Sequence, residues 1–358
     1  MELKRLTINN FRNLLQIDFC PTAGGNIFYG NNAQGKTALV EAIYLLGHAR
    51  SFRPAQLTDL LTVGTSSGKI SCELLKSGVC HRLELELNRQ GKKPFLDGKS
   101  LQGIGQFLGI LSPVLFAPEE VALIKGAPAG RRSLLDRAIF QAEPGYLQVA
   151  RNFARCLLQR NAVIKAGGSS QELAVWTDRF LQAGSIIREK RVHFLDRLRP
   201  LLHETYREIC GGREEIDIKY PHMEGDQHVR LADELQKTRQ REVSLGQTLA
   251  GPHRDDPLFY LDGKQLKSFG SQGQQRSCML AFKTAQVMDL EEQTGESPVL
   301  LLDDMTSELD PQRRETFFAF LLGRSGQFFL TTTDPQLCRS FLASDVTEYR
   351  VDAGRLET

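Results

Sequence analysis

The chain has 358 residues, a length that allows two or three domains. Its 41% hydrophobic and 25% charged residues suit a globular protein with a buried core, and a net charge of +2 excludes a polycation. The seven cysteines are scattered without C-x-x-C spacing, which excludes the usual zinc and redox motifs. No apolar run approaches the roughly 20 residues that cross a bilayer, and we identify no leader. We therefore expect a cytoplasmic protein that does not contact membranes.

Short strands are predicted at the start of the chain. Apolar residues alternate over 3–8 and over 14–19, and the Asn-rich joint between them has the composition of a turn. Arg12 lies in this joint, shortly before a glycine-rich loop. A lone arginine beside a turn is usually solvated, so Arg12 is either a surface residue or a phosphate contact.

The glycine-rich loop fits the phosphate-binding pattern G-x-x-x-x-G-K-[ST] at every fixed position. A buried strand is predicted before it at 26–29 and a helix after it at 38–46, so that backbone N–H groups and the helix dipole surround one anion. Lys36 can reach the β- and γ-phosphates, and the Thr37 hydroxyl can bind Mg²⁺. A chance glycine turn is the alternative. The flanking elements favour a nucleoside triphosphate site, formed by Gly30, Asn31, Asn32, Ala33, Gln34, Gly35, Lys36 and Thr37.

A basic loop with one aromatic residue follows the first helix, at 48–54. It is either a solvated connection or a contact to the phosphates of a nucleotide or nucleic acid. Strands are then predicted at 69–75 and 82–88, where leucines face one side and charged residues the other, and at 113–118.

From residue 119 to about 213 the pattern becomes helical, with helices predicted at 131–141, 146–166 and 171–206. This segment has 16 Lys and Arg against 10 Asp and Glu, a net charge of +6, so the rest of the chain carries −4. We interpret it as a candidate DNA-binding lobe, although a solvated face with charges balanced by neighbouring turns explains each residue equally well. The candidate contacts are Arg131, Arg132, Arg188, Lys190 and Arg191.

The following segment contains two polar loops. The first, at 248–256, includes His253, which is either a catalytic base or, more often for a histidine in a turn, a structural residue. A hairpin is predicted next, with a turn at Asp262 and Gly263 and a returning strand at 266–269. The second polar loop precedes a long helix predicted at 277–292. Ser271 is a suitable N-cap, and Gly273 leaves the helix start open to an anion.

Two carboxylates follow a strand that is predicted to be buried on both faces, at 298–302. They fall at the carboxyl end of the strand, where open α/β sheets bind ligands. In a chain with a phosphate loop, Asp303 is the candidate Mg²⁺ carboxylate and Asp304 the candidate base for the attacking water. A helix that begins at Pro311, a core strand at 327–332 and a strand at 346–351 complete the chain.

The phosphate loop, the helix start at Ser271 and the paired aspartates resemble the ATP-binding-cassette heads of SMC-type DNA-repair ATPases. Over essentially the full length, the chain is similar to the bacterial RecF family. Its insert of about 95 residues is too short for the long coiled coils of SMC proteins. The segments that carry the resemblance are Asn10-Phe11-Arg12-Asn13, Phe116-Ala117-Pro118-Glu119, Gly251-Pro252-His253-Arg254-Asp255-Asp256, Ser271-Gln272-Gly273-Gln274-Gln275-Arg276, Leu300-Leu301-Leu302-Asp303-Asp304 and Ser307-Glu308-Leu309-Asp310.

The resemblance implies an α/β fold: an ABC-type ATPase head with a P-loop, a mixed core sheet and an antiparallel β-subdomain. We expect its halves, 1–118 and 214–358, to be separated by a helical lobe at 119–213. The resemblance further implies that two subunits dimerise head to tail around ATP and Mg²⁺. Ser271, Gly273 and Gln274 of one subunit would then face the phosphate loop of the other, and Arg12 would lie near the γ-phosphate.

The family's activity implies an ATP-dependent DNA-binding protein of recombinational repair and replication-fork maintenance. Its dimer would bind double-stranded, single-stranded or gapped DNA. With RecR and RecO it would promote RecA loading and the SOS response. A weak, DNA-stimulated ATPase would reset this switch, with Lys36 and Asp304 as the catalytic residues.

Three departures distinguish the chain from transporter-type cassettes. Asp304 occupies the position where those cassettes carry Glu, which fits slow hydrolysis, and the run 331–334 contains no switch histidine. The region where the glutamine loop is expected contains Glu119 and not a glutamine, so the equivalent of that loop is not assigned. A transporter ATPase subunit remains the alternative. It predicts a Leu-Ser-Gly-Gly-Gln signature, a switch histidine and about 240 residues in one domain, and this chain has none of the three. A P-loop kinase or GTPase is a further alternative and would need no second-subunit signature.

Overall fold

The structure is a computed structural model that describes residues 1–212, 214–221, 223–305, 310–323, 326–336 and 346–357. The chain folds into two units. Unit one comprises Met1–Val121, Glu208–Gly211 and Arg276–Thr358, and unit two comprises Ala122–Arg207 and Gly212–Gln275. Among the described residues, no helix is both long and apolar enough to cross a membrane.

Unit one contains a six-stranded sheet in which five strands run parallel and one edge strand is antiparallel. The strand that precedes the phosphate loop is β3 (Gly25–Tyr29), and the strand that precedes the paired aspartates is β12 (Val299–Leu302). A single strand, β13 (Phe328–Thr332), separates them. Their carboxyl ends therefore meet at one edge of the sheet. The order across the sheet is β15 (Arg355–Glu357), β14 (Val346–Asp352), β3 (Gly25–Tyr29), β13 (Phe328–Thr332), β12 (Val299–Leu302) and β8 (Pro113–Phe116).

The second sheet of unit one is antiparallel throughout, as the alternating leucines predict. Its inward residues share one hydrophobic core with helix α1, which is apolar on nearly every face and is buried along most of its length. The order across this sheet is β2 (Leu14–Phe19), β1 (Glu2–Phe11), β4 (Ser67–Lys76), β5 (Val79–Asn88), β6 (Gly91–Leu96) and β7 (Lys99–Ser100).

Two helices of unit one begin with a proline. Pro118 and Pro311 each stand at a helix start, where a missing N–H group costs nothing. The helices are α1 (Lys36–His48), α2 (Ile104–Phe107), α3 (Pro118–Lys125) and α10 (Pro311–Leu322), with a 3₁₀ turn at Leu57–Leu60. Two long helices, α6 (Ser170–Cys210) and α9 (Gln272–Thr294), each have residues in both units.

Unit two is mainly helical with a small antiparallel sheet, ordered β11 (Lys264–Gln265), β10 (Leu258–Leu261) and β9 (Ile216–Lys219). Besides α6, its helices are α4 (Pro128–Ala142), α5 (Tyr146–Ala166), α7 (Gln227–Leu245) and α8 (Leu266–Phe269). The predicted returning strand at 266–269 is wrong: the strand has two residues, and the chain turns into α8, where Leu266 is buried.

The units differ from the expected division at residues 119 and 213, because unit two also includes Gly212–Gln275. The reason is visible in its ion pairs. Arg188 on α6 binds both Glu234 on α7 and Asp255 in the loop before β10. Sequence composition detected the basic helices, but it could not show which later segment supplies their acidic partners.

Candidate functional site

The phosphate loop begins and ends with glycines that no other residue could replace without strain. Gly30 has φ of 149°, and a Cβ there would lie 2.4 Å from the Val351 carbonyl oxygen. Gly35 has φ of 116°, immediately before the first residue of α1. These backbone angles are in the region that favours glycine, and they turn the chain from β3 into α1 so that the helix N-terminus faces the loop.

Gln34, a variable position of the phosphate-loop pattern, holds the loop in place. Its side-chain oxygen accepts a 2.6 Å hydrogen bond from the N–H of Ala353. Its backbone carbonyl accepts a 2.9 Å bond from the N–H of Gly354. Both partners lie in the β14–β15 turn, so Gln34, which is predicted to contact nucleotide, also fastens the loop to the sheet.

Thr37, Asp303 and Thr331 form one hydrogen-bonded group at the carboxyl edge of the parallel sheet. Asp303 Oδ1 accepts bonds from Thr37 Oγ1 at 2.9 Å and from Thr331 Oγ1 at 2.7 Å. Thr331 Oγ1 also accepts from the N–H of Asp304 at 2.9 Å, which fixes the start of the turn after β12. The sequence predicts Thr37 and Asp303 as Mg²⁺ ligands. At 331–334 it shows only that the switch histidine is missing, so the role of Thr331 is not predicted.

The electrostatics of this edge follow from its burial. Burial raises the pKa of Asp303 to about 6, although the hydroxyls of Thr331 and Thr37 oppose the shift. Burial also lowers the pKa of Lys36, opposed by the charges of Asp304 and Asp303. The Lys36 ammonium donates to the carbonyls of Gly30 at 2.7 Å and Asn31 at 2.8 Å, which holds it over the loop. A positive charge and two carboxylates thus lie close together.

Arg12 lies beside the same site, and hydrogen bonds to Glu41 and Asp59 hold its guanidinium in place. Its Nε and Nη2 donate to the two carboxylate oxygens of Glu41 at 3.0 and 2.6 Å, and Nη1 donates to the carbonyl of Asp59 at 2.9 Å. Glu41 is fully buried on α1, whereas the Arg12 side chain is 21% exposed. The one signal for this pair in the sequence is a carboxylate within the apolar run of α1.

Beside these residues lies one cavity of about 770 Å³, whose lining residues all belong to unit one. Arg12, Lys36, Thr37 and Asp304 are among its lining residues, and so is Arg53 from the basic loop. The 3₁₀ turn and the residues after it form a second wall of the cavity, which is not predicted from the sequence. The residues of this wall are Asp59, Leu61, Thr62 and Val63.

The second predicted anion-reading element, the start of α9, belongs to unit two. Its first turn is a reciprocal cap: Ser271 Oγ accepts from the N–H of Gln274 at 3.2 Å, and Gln274 Oε1 accepts from the N–H of Ser271 at 2.8 Å. Ser271 is exposed and Gly273 is half-buried. Ser271 is therefore the N-cap of α9 that the sequence predicts.

Comparisons with known proteins agree along the whole chain. The family described as "RecF/RecN/SMC N terminal domain" matches residues 2–351. The DNA replication and repair protein RecF of Syntrophotalea carbinolica is 44% identical over 360 residues, covering 99% of both chains. That of Geotalea daltonii is 40% identical over 363 residues, covering 99% of this chain and all of the other. The chain belongs to the RecF family.

Solved structures support the assignment and the fold. A structure described as the recombination mediator protein RecF–ATP in the RecFOR pathway has a TM-score of 0.88 and 29% identity, covering 99% of this chain and 97% of that one. A Smc head domain from Pyrococcus furiosus has a TM-score of 0.60 at 13% identity, a likeness of fold alone. The predicted ABC-type head of mixed α/β class is confirmed. The RecF assignment also removes the transporter and kinase alternatives.

Three of the five basic residues expected to contact DNA are buried in ion pairs within unit two. Arg131, Arg188 and Arg191 are 2%, 0% and 4% exposed. Their carboxylate partners are, respectively, Asp256, the pair Glu234 and Asp255, and Asp136. These guanidinium groups present no charge at the surface, so the structure argues against them as phosphate contacts.

The other two are partly accessible. Arg132 is half-buried and donates to the carbonyl of Asp255 at 2.8 Å. Lys190 has a side chain that is 41% exposed and pairs with Glu143 at 2.6 Å. The ammonium group of Lys190 is thus partly accessible to a DNA backbone, and Glu143 offsets part of its charge.

The same ion pairs explain the conspicuous polar loop at 248–256. Asp255 accepts from Arg188 and from the Tyr220 hydroxyl, and Asp256 accepts from Arg131. His253 packs beside Phe180 and is mostly buried, which lowers its pKa to about 4. The loop thus has a structural role, because its side chains pair with arginines inside unit two. This agrees with the structural interpretation of His253. The segment Ser307-Glu308-Leu309 of the resemblance lies outside the described residues.

Proposed function

We propose that this chain is an ATP-dependent DNA-binding protein of DNA repair and replication, acting as a head-to-tail dimer with ATP between its subunits. The group formed by Thr37, Asp303 and Thr331 carries the proposal, because its hydrogen bonds join the start of α1 to the strand that precedes the paired aspartates, beside one cavity. The likeness to a RecF–ATP structure over nearly the whole chain supports ATP as the ligand.

The residues of unit one suit the binding of Mg²⁺ together with ATP. The Thr37 hydroxyl and the Asp303 carboxylate are 2.9 Å apart, and both are the oxygen ligands that Mg²⁺ prefers. Few protein ligands are needed, since Mg²⁺ usually keeps waters and binds phosphates. Bound there, the ion would neutralise charge that develops on the phosphates.

In the proposed reaction each residue has a distinct task. Lys36 and the α1 N-terminus bind the β- and γ-phosphates, and Arg12 is held by Glu41 so that its charge lies toward the γ-phosphate. Asp304, on the rim of the cavity, accepts a proton from the attacking water. A short Asp at this position holds the water less closely than Glu would, which fits slow hydrolysis that resets a switch.

The dimer completes the site by supplying the α9 N-terminus of a second subunit. All residues that line the cavity belong to unit one, whereas Ser271, Gly273 and Gln274 belong to unit two. A helix start with an N-cap hydroxyl is suited to the γ-phosphate of a nucleotide. ATP then links the two subunits, and its hydrolysis releases them.

We assign DNA contacts to exposed basic residues of unit two in place of the buried arginines. Arg151 and Arg155 lie one turn apart on α5, and Lys237 and Arg241 lie one turn apart on α7, which packs against α5. Lys190 is a further candidate. We propose RecR and RecO as partners in a cytoplasmic pathway that loads RecA at gaps and leads to the SOS response, because a solved relative is described in the RecFOR pathway.

The experiment that tests this function is the molecular mass in solution with and without ATP and Mg²⁺, for the native chain and for Lys36→Ala. We expect a monomer that becomes a dimer with ATP, and Lys36→Ala remaining monomeric. DNA binding is measured on the same samples at two salt concentrations, and its affinity is expected to fall with salt because phosphate contacts release counterions. A native chain that stays monomeric with ATP would refute the proposed switch.

A further inference from the structure

The reciprocal cap at the start of α9 has a third member outside the helix. Gln274 uses its side-chain oxygen for the cap, and its Nε2 donates a 2.6 Å hydrogen bond to Glu214 Oε1. Glu214 lies in the short connection between α6 and β9, about sixty residues earlier in the chain. A charged acceptor thereby fixes the amide whose other end caps the helix.

Glu214 is itself held from two sides within unit two. Its Oε2 accepts a 2.8 Å bond from the hydroxyl of Tyr206, a residue of α6 that is 1% exposed. The next residue, Glu215, makes two hydrogen bonds with Asp262: its N–H donates to the side-chain Oδ1 at 2.8 Å, and its carbonyl accepts from the Asp262 N–H at 2.9 Å. A buried tyrosine and a hairpin turn thus place this carboxylate.

This chain of bonds limits the directions in which the Ser271 hydroxyl can donate. Since Ser271 Oγ accepts from the N–H of Gln274, its own hydrogen points elsewhere and is available to an incoming anion. If the Gln274 side chain rotated away, the N–H of Ser271 would lose its acceptor and the first turn would loosen.

We propose that Glu214 is a positioning residue for the nucleotide site of the partner subunit. Through Gln274 it keeps the Ser271 cap of α9 in the geometry that binds the γ-phosphate held by the other subunit's phosphate loop. The inference rests on the proposed ATP-dependent dimer. It assigns to Glu214 the task of holding the α9 cap in place for the phosphate loop of the partner subunit.

The first test measures ATP-dependent dimerisation of Glu214→Ala, Glu214→Gln and, as the matched control, Glu215→Ala. Glu215 is exposed and uses its backbone groups toward Asp262. Loss of a hydrogen bond to a charged group is expected to weaken dimerisation by about tenfold to a hundredfold in Glu214→Ala. Glu214→Gln keeps an acceptor for Gln274 and should restore most of it, and Glu215→Ala should match the native chain.

The second test determines in which subunit Glu214 acts. An equal mixture of Glu214→Ala and Lys36→Ala can form dimers in which the intact phosphate loop of one subunit faces the intact cap of the other. If Glu214 acts across the interface, the mixture hydrolyses ATP faster than the sum of the two variants alone. ATP binding to the Glu214→Ala monomer, followed with a fluorescent ATP analogue, should equal that of the native chain.

The outcomes separate this inference from the proposed function. A native chain without an ATP-dependent dimer refutes the proposed function itself. A native dimer with an equally tight Glu214→Ala dimer refutes only the positioning role, as does a mixture without rescue or a loss of ATP binding to the monomer. If Glu214→Ala fails to fold, Tyr206→Phe removes the donor that fixes the carboxylate. It should then weaken dimerisation selectively, and unchanged dimerisation would overturn the inference.

Discussion

Replacing Arg188 should destabilise unit two rather than weaken DNA binding. The guanidinium is 0% exposed and makes four hydrogen bonds. Nε and Nη2 bind the two oxygens of Asp255 at 3.0 and 2.8 Å, and Nη1 and Nη2 bind those of Glu234 at 2.9 and 2.8 Å. Arg188→Met keeps much of the side-chain volume but leaves Asp255 buried without this counter-charge.

The size of the effect follows from that uncompensated charge. Removing one partner of a buried ion pair costs about 3–5 kcal/mol, a large part of the roughly 5–15 kcal/mol that stabilises a typical domain. The Tyr220 hydroxyl remains as a donor to Asp255, which places our expectation at the lower end, about 3 kcal/mol. With a urea m-value of about 2–3 kcal/mol/M, the midpoint should fall by about 1–1.5 M.

The sole tryptophan makes this measurement specific. Trp176 lies on α6 in unit two, so its fluorescence in a urea titration reports the unfolding of that unit. The matched control is Arg151→Ala, an exposed residue on α5, which should change stability by no more than about 0.5 kcal/mol. That control should instead weaken DNA binding and reduce the slope of log affinity against log salt by about one.

The opposite pattern would refute this reasoning. If Arg188→Met kept its urea midpoint while the DNA salt slope fell by about one, Arg188 would contact phosphate and the ion pairs would not be structural. If Arg151→Ala left DNA binding unchanged, the exposed face of α5 would not be the DNA surface. The Lys190 side chain is 41% exposed. For Lys190→Ala we therefore expect changes in urea midpoint and in DNA salt slope that lie between those of Arg188→Met and Arg151→Ala.

Three further predictions concern the nucleotide site and His253. Asp304→Asn should slow ATP hydrolysis at least a hundredfold, the usual scale for a general base, while mass measurements still show the ATP-dependent dimer; a monomer would assign Asp304 to binding instead. Thr331→Val removes a donor to the buried Asp303 and an acceptor for the Asp304 N–H, so urea unfolding should show a loss of about 1–3 kcal/mol. The pKa of His253, lowered to about 4, means that native His253 stays neutral while the unfolded residue takes up a proton below pH 6.5. Stability should therefore fall by about 1.5 kcal/mol from pH 6.5 to pH 5, and His253→Gln should lack this part of the fall; equal pH profiles would contradict it.

The nucleotide half of the fold was accessible from the sequence because its signals are local. The pattern at 30–37 requires a strand before and a helix after, and the structure has β3 ending at Tyr29 and α1 beginning at Lys36. The apolar run before Asp303 predicts a strand buried on both faces, and β12 lies between two parallel neighbours. In each case, backbone geometry depends on residues next to one another in the chain.

The partners of charged side chains could not be predicted in this way. Arg188 finds Asp255 at a distance of 67 residues along the chain, and Arg131 finds Asp256 at a distance of 125. A count of charges in 119–213 gives the same result whether an arginine is exposed or paired inside the unit. The correction of the DNA face therefore depended on burial, which is a property of the packed fold.

The sequence by itself determined the phosphate loop, the Asp303 strand, the Ser271 cap and the resemblance to the RecF family. The first three are set by short-range rules of backbone geometry and capping, in which neighbouring residues determine the outcome. Only the tertiary structure decided which residues hold these elements in place. Glu41 supports Arg12, Gln34 fastens the loop, and Glu214 reaches Gln274, because folding brings together groups whose separation in the chain no local pattern encodes.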